Sequence, residues 1–155
     1  MALDVGANAP AVTLFGPARS RVELRDYIGR QPVVLLFFPL AFTSTCTAEL
    51  CAVTEDYVAY SDLGAQVFGI SVDSPHTLAR FAAETGAAFP LLSDFNREAI
   101  RAYDVVRPDL GGLREVAERV VFVIDADGTI RHVWQGEHPG VMPAFEGIKA
   151  ALAAL

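Results

Sequence analysis

The feature that most restricts this chain is the stretch from Val33 to Cys51, VVLLFFPLAFTSTCTAELC. It opens on an unbroken apolar run, Val33 to Phe38. A run that short and rich in Val, Leu and Phe predicts a strand buried on both faces. Pro39 ends it. Thr43, Ser44 and Thr45 then offer helix N-caps just ahead of Cys46. From there Cys46, Leu50, Val53, Tyr57 and Tyr60 step by four and three, as one face of a helix does. Cys46 is thereby placed in the first turn of a helix leaving a buried strand. Unpaired N–H groups and the positive end of the helix dipole meet there. Both favour a thiolate, the nucleophilic form of cysteine. On position alone a small buried cysteine without chemistry is the alternative.

The rest of the chain supplies partners for that unit. Ala11 to Leu14 and Arg21 to Leu24 flank Gly16-Pro17 as a small hairpin, and residues 25–32 form a polar connector. The Cys46 helix is expected to run to Gly64, a C-cap signal. Gln66 to Val72 reads as the next strand, and two strands joined by such a helix make a right-handed parallel pair. Active-site loops gather at the carboxyl ends of parallel strands, where Thr43 and Cys46 fall. Ser74-Pro75 opens a helix with Leu78, Phe81, Ala82 and Thr85 inward, closed by Gly86. After the apolar piece Phe89 to Leu92, Asp94 or Asn96 caps a helix with Ala99, Ile100 and Tyr103 inward. Arg107 to Glu118 carries Pro108, Gly111 and Gly112 and reads as a loop. Arg119 to Asp125 is a second buried strand, turning at Asp127-Gly128 into Thr129 to Gln135. Residues 136–143 read as loop, and Ala144 to Leu155 as a last helix with Phe145, Ile148 and Leu152 on one stripe. The expected fold is α/β and thioredoxin-like. A central mixed sheet is flanked by helices, with an N-terminal β-hairpin and an insertion before the last β-hairpin, in a single domain over residues 1–155.

Composition removes several function classes. A chain of 155 residues, 52% hydrophobic and 20% charged, suits one domain with a full core. Lys and Arg total 12 against 19 Asp and Glu, a net charge of −7, which argues against binding nucleic acid or an anionic membrane. No apolar run approaches the roughly 20 residues of a membrane span. Met1 to Gly6 lacks the basic start and apolar core of a signal peptide, so a cytoplasmic location is expected. Cys46 and Cys51 are the only cysteines. In a reducing compartment they point to a transient or catalytic role rather than a structural disulfide. Cys46 and Cys51 are spaced C-x4-C and His132 and His138 H-x5-H, but the two pairs lie far apart in the chain rather than within one short zinc-binding segment, so no metal is expected.

Pro39-Leu-Ala-Phe-Thr43-Ser-Thr-Cys46 resembles the peroxiredoxin signature, in which a Pro and a Thr or Ser precede the peroxidatic cysteine at these spacings. Arg119-Val-Val-Phe-Val-Ile-Asp fits the arginine that peroxiredoxins carry at the start of a downstream strand. The resemblance extends from Ala9-Pro10 to the last helix. It implies a thiol-specific peroxidase of antioxidant role, acting on hydrogen peroxide and organic hydroperoxides. In that reading Cys46 is the nucleophile, and Arg119 holds the thiolate and donates hydrogen bonds to the peroxide with its planar, permanently charged fork. Thr43 Oγ bonds the thiolate or the peroxide, and Pro39 packs over the cysteine and limits water. Glu49 matches a family position and orients the arginine, or else only compensates the helix dipole. The implied partners are a peroxide substrate and a reductant: thioredoxin, glutaredoxin or a low-molecular-weight thiol. The implied assembly is a monomer or homodimer, with Phe42 a candidate contact. No organic cofactor is needed, because sulfur carries both electrons.

Cys51 divides the subtype. It lies about 140° round the helix from Cys46, with Cα atoms roughly 8–9 Å apart, beyond the roughly 7 Å a disulfide tolerates. A Cys46–Cys51 bond therefore requires the first turns to unwind. The C-x4-C spacing resembles the bacterioferritin comigratory protein (PrxQ) branch, in which the second cysteine resolves the sulfenic acid through such unfolding. Leu36-Phe-Phe-Pro-Leu-Ala-Phe-Thr and Phe89-Pro-Leu-Leu-Ser-Asp resemble instead the AhpE-type one-cysteine branch, which uses an external thiol. Cys51 is taken as the candidate resolving residue, with the one-cysteine cycle and a peroxide sensor on the same fold as alternatives. A thioredoxin-type disulfide reductase would want C-x-x-C at the helix start.

Overall fold

The computed structural model describes residues 2–155; the signal-peptide reading starts at Met1, which lies outside them. Among the described residues nine strands and five α-helices keep the expected succession except for the hairpin and the helix break described below. Strands β1 (Thr13–Phe15) and β2 (Arg21–Glu23) form the N-terminal hairpin. Strand β3 (Val33–Phe37) is buried along its whole length and leads into α1 (Ser44–Glu55). Then come α2 (Tyr57–Ser61), β4 (Gln66–Ser71), α3 (Pro75–Thr85), β5 (Leu91–Ser93) and α4 (Glu98–Ala102). Strands β6 (Val106–Leu110), β7 (Leu113–Ala117), β8 (Val120–Ile124) and β9 (Ile130–Gln135) precede α5 (Phe145–Ala153).

Seven strands make the main sheet, in the order β2-β1-β5-β4-β3-β8-β9. Strand β3 lies in its interior, parallel to β4 and antiparallel to β8. Because side chains alternate across a strand, β3 feeds both faces. Val34, Leu36 and Phe38 meet Cys46, Leu50 and Val53 of α1, with Phe81 of α3 and Ile148 of α5 in the same cluster. Val33, Leu35 and Phe37 pack on the opposite side with Ile100, Tyr103 and Phe122. Two-sided burial is why this run is continuously apolar rather than alternating. Ser74 caps α3 by accepting from Thr77 N at 3.1 Å, and Gly86 closes it in the left-handed region at φ 66°.

Two boundaries differ from expectation. The helix expected to run to Gly64 breaks at Asp56 (φ −107°, ψ 16°), and α2 continues only to Ser61. The segment Arg107 to Glu118 is not a loop but most of the hairpin β6–β7. Gly111 and Gly112, both at positive φ (59° and 95°), make its two-residue turn, a geometry that glycine adopts without strain. Pro108 carries no N–H and falls where the ladder skips a pair, between Arg107↔Val116 and Asp109↔Arg114. This hairpin forms its own two-stranded sheet and carries Leu110 to the mouth described below. Among the described residues no helix is long and apolar enough to cross a membrane.

Candidate active site

The loop between β3 and α1 is held by the neighbouring strands. Asp73, just past the carboxyl end of β4, accepts from Ala41 N at 2.8 Å and from Ser71 Oγ at 2.6 Å. Ser93 Oγ of β5 donates to the Asp73 carbonyl at 2.6 Å. Sequence reasoning did not single out Asp73. Its position at the end of a parallel strand, beside the loop that precedes Cys46, was the available signal.

Thr43 occupies the N-cap position of α1 in extended conformation. Its carbonyl accepts from Thr47 N and Thr47 Oγ1, each at 2.9 Å. Its hydroxyl turns back to donate to the Leu40 carbonyl at 2.8 Å, so no side chain caps the first turn. That turn borders a pocket of about 180 Å³, lined by Pro39, Thr43, Ser44 and Thr45 together with Leu110, Arg119 and Pro139.

Behind the pocket lies a buried charged cluster. Arg119, immediately before β8, donates from Nη2 to Cys46 Sγ at 2.9 Å, from Nε to the Pro139 carbonyl at 2.9 Å, and from Nη1 to Glu49 Oε2. Cys46 and Glu49 are fully buried, and Arg119 is 2% exposed. Glu49 follows Cys46 by three residues, so the two share a helix face and one guanidinium reaches both. Desolvation pushes the Glu49 carboxyl up to about 7, against the pull of Arg119. Its other oxygen, Oε1, has no hydrogen-bond partner among the described residues. The structure thus joins Cys46, Arg119 and Glu49 directly, and joins Pro39 and Thr43 to Arg119 through the pocket wall. Pro139 and Leu110 were missed from the sequence, since a carbonyl in a loop and a hairpin tip carry no local motif.

Cys51 is elsewhere. It lies two turns along the same continuous helix, half-buried, and both cysteines are free thiols. It lines a separate cleft of about 200 Å³ with Phe42, Thr47, Phe81 and Thr85. Among the described residues no group of His, Cys, Asp and Glu is placed to hold a metal ion.

A mixed sheet of this topology, with a cysteine in the first turn of the helix leaving an interior strand, is the architecture of the thioredoxin-like thiol peroxidases. The AhpC/TSA family profile matches residues 5–133, and the chain belongs to that family, the peroxiredoxins. It is 37% identical over 155 residues to alkyl hydroperoxide reductase E of Mycobacterium tuberculosis, covering 99% of this chain and 98% of the relative. It is 34% identical over 134 residues to peroxiredoxin Bcp of Escherichia coli, covering 85% of each. The solved structure of peroxidoxin BcpB from Mycobacterium tuberculosis superposes with a TM-score of 0.85 at 30% identity, covering 97% of each chain. The chain is thus a thiol-dependent peroxidase with the thioredoxin-like peroxiredoxin fold, and its substrates and reductants are those of the family, peroxides and thiols. Both branches that the sequence resembles are represented among these relatives.

Proposed function

We propose that Cys46 is the peroxidatic cysteine of a single-domain, cytoplasmic peroxidase for hydrogen peroxide and alkyl hydroperoxides, with antioxidant function in cell redox homeostasis. The observation that carries this reading is the 2.9 Å hydrogen bond from Arg119 Nη2 to a fully buried Cys46 Sγ. A charged donor on sulfur favours the thiolate. The thiolate attacks one peroxide oxygen, the O–O bond breaks, and the other oxygen leaves as an alkoxide or hydroxide that takes up a proton. Cys46 becomes a sulfenic acid. Arg119 both donates to the sulfur and lines the pocket, so it is placed to hold the peroxide and the charge developing on the leaving oxygen. Pro39 restricts water over the sulfur. Thr43, whose hydroxyl is engaged by the Leu40 carbonyl, offers the peroxide its oxygen as acceptor or rotates to donate. The pocket volume suits hydrogen peroxide or the head of an alkyl hydroperoxide, and alkyl hydroperoxide is the substrate in the name of the Mycobacterium relative.

Cys51 then attacks the sulfenic acid, expelling water and forming a disulfide that a thioredoxin-like protein reduces. This step requires the first turns of α1 to unwind, since both residues sit on one continuous helix. That continuity, and the opening of Cys51 into its own cleft, favour the second reading: a one-cysteine cycle completed by an external thiol such as glutaredoxin or a low-molecular-weight thiol. Phe42, 50% exposed in the loop between β3 and α1, is the candidate contact if the protein is a homodimer rather than a monomer.

Intact mass and free-thiol count after one equivalent of hydrogen peroxide, on wild type and Cys51→Ser, decide between the two. Loss of both thiols in the wild type, with loss of two hydrogens, supports resolution by Cys51. A trappable sulfenic acid on Cys46 with Cys51 still free supports the one-cysteine cycle. Reaction of neither cysteine faster than a free thiol overturns the peroxidase role of Cys46.

A further inference from the structure

The role just assigned to Cys46 leaves one buried group unused, and the following inference rests on that role. Glu49 is fully buried, with one carboxyl oxygen on Arg119 and the other without a hydrogen-bond partner among the described residues. We propose that Glu49 and Cys46 share one exchangeable proton across Arg119: Glu49 holds it while Cys46 is a thiolate and yields it when the sulfur is oxidised.

The case begins with charge. Arg119 carries one permanent positive charge. Ionising both Cys46 and Glu49 would bury two anions against that single cation, leaving a net negative charge without a partner, which burial penalises strongly. Neutrality therefore places one proton on either the sulfur or the carboxyl. The guanidinium reaches them through different nitrogens, Nη2 and Nη1, so both stay hydrogen-bonded whichever carries the charge. Oε1 is the atom left to carry the proton, because Oε2 accepts from Arg119.

The other groups around Glu49 do not change this balance. Tyr60 of α2 is near enough to feel the Glu49 charge, but burial pushes its phenol up to about 12 and it stays neutral. Lys149 of α5 is committed to ion pairs with Asp56 and Glu146. The loop over Arg119 contributes the Pro139 carbonyl, while His138 is exposed and accepts from Gly140 N at 3.2 Å. Desolvation also holds the Glu49 carboxyl protonated up to about neutral pH.

The reaction then closes on itself. A Cys46 thiolate, a hydroperoxide and a protonated Glu49 give a Cys46 sulfenic acid, an alcohol or water, and a Glu49 carboxylate. The O–O bond breaks, an S–O bond forms, and sulfur supplies both electrons. The leaving oxygen takes its proton from solvent and Glu49 returns one to solvent, so the proton count of the step balances. Arg119, freed from a charged sulfur, then pairs with a charged Glu49. Glu49 does not touch the peroxide; it acts through Arg119 as a positioning residue that also sets the proton count.

The test is proton stoichiometry. Wild type and Glu49→Gln are mixed with one equivalent of hydrogen peroxide at pH 6 in weak buffer containing a pH indicator, with thiolate followed by its ultraviolet absorbance. Wild type is expected to show a thiolate before mixing and to take up close to no protons. Glu49→Gln is expected to show a thiolate and take up close to one proton per sulfur oxidised. Uptake of one proton by the wild type, a wild-type thiol instead of a thiolate, or equal stoichiometry in the two proteins (which a sulfenate product would give) overturns the proposal. The infrared difference spectrum of wild type on peroxide addition gives a second readout that needs no variant. Loss of a protonated-carboxyl band is expected, and its absence overturns the proposal even if Glu49→Gln fails to fold. Either failure leaves the peroxidase reading standing, because that reading falls only if Cys46 does not react.

Discussion

The two cysteines of this chain share one helix and one covalent chemistry, yet their surroundings have little in common. Cys46 sits in the first turn, fully buried, on a guanidinium that also grips Glu49. Cys51 sits farther along α1, half-buried, in a cleft walled by the rings of Phe42 and Phe81 and by Thr47 and Thr85. Position explains the contrast. Only the first turn meets the carboxyl ends of the strands, where the loop pinned by Asp73 and the arginine leading β8 converge. Five residues on, the helix has turned toward α3 and left that edge behind. The two thiols thus differ by place in the fold rather than by residue type.

The largest expected effect comes from exchanging the roles. Cys46→Ser is expected to reduce peroxide consumption to the rate of a free thiol with Cys51 intact, measured by stopped-flow fluorescence or coupled peroxide loss. If activity survives on Cys51, the contrast between the two environments means nothing for catalysis.

Next in size is the donor that distinguishes them. Arg119→Lys keeps a positive charge but loses the fork that bonds Cys46, Glu49 and the Pro139 carbonyl together. The second-order rate constant with hydrogen peroxide is expected to fall by about 10²–10³-fold, the range for losing a well-placed donor to a developing oxyanion. A fall of less than tenfold would show that charge alone, without geometry, activates the sulfur.

The Cys46 side also carries a pH signature. The folded-state pKa of Glu49 is raised from 4.5 to about 7, with burial the first cause. A raised pKa means that the native state binds this proton more tightly than the unfolded chain does. Its stabilising effect is full below about pH 4.5 and is lost as pH rises through 7. Over that window the wild type is expected to lose about 3 kcal/mol from this group, following 1.36 kcal/mol per pKa unit. Glu49→Gln is expected to lack this slope. Urea unfolding at several pH values checks it, and parallel curves for the two proteins would remove Glu49 as the titrating group.

Much of the Cys46 side was legible in the sequence because its parts are local. The apolar run of β3, the proline stop and the four-and-three spacing after Cys46 each have one physical reading, and the i, i+3 spacing puts Glu49 on the cysteine's face. What was not legible depends on distant segments. The Pro139 carbonyl reaches Arg119 across 20 residues of chain, and no local pattern announces it. The β6–β7 hairpin was read as a loop because Pro108 and two glycines outweighed a pattern with little apolar alternation. Its residues Arg107, Asp109, Arg114 and Glu115 are polar, and a Gly-Gly pair serves a two-residue turn as readily as a loop. The break at Asp56 was equally hidden, since the apolar positions of α2 stay in phase with those of α1.

The smallest effect concerns the wall of the Cys51 cleft. Phe42 holds a left-handed backbone (φ 67°), a conformation unfavourable for a bulky residue, and its ring is half exposed. What offsets that cost is the tilted contact with the Phe81 ring, with centroids 5.0 Å apart, beside the cleft that Cys51 lines. An aromatic pair of this kind is worth about 1 kcal/mol, or about fivefold in an opening equilibrium. Phe42→Ala keeps the backbone demand and removes the ring, so alkylation of Cys51 by a maleimide is expected to rise by about fivefold. Cys46, buried and held by Arg119 outside the cleft this ring lines, is expected to keep its peroxide rate within twofold of wild type, well inside the spread such a contact would cause if it mattered there. Mass spectrometry of the labelled peptides, read beside stopped-flow rates, separates the two. A parallel rise at both cysteines would mean that the loop opens as one piece, and the two environments would then be a single site seen from opposite ends of the first turns of α1.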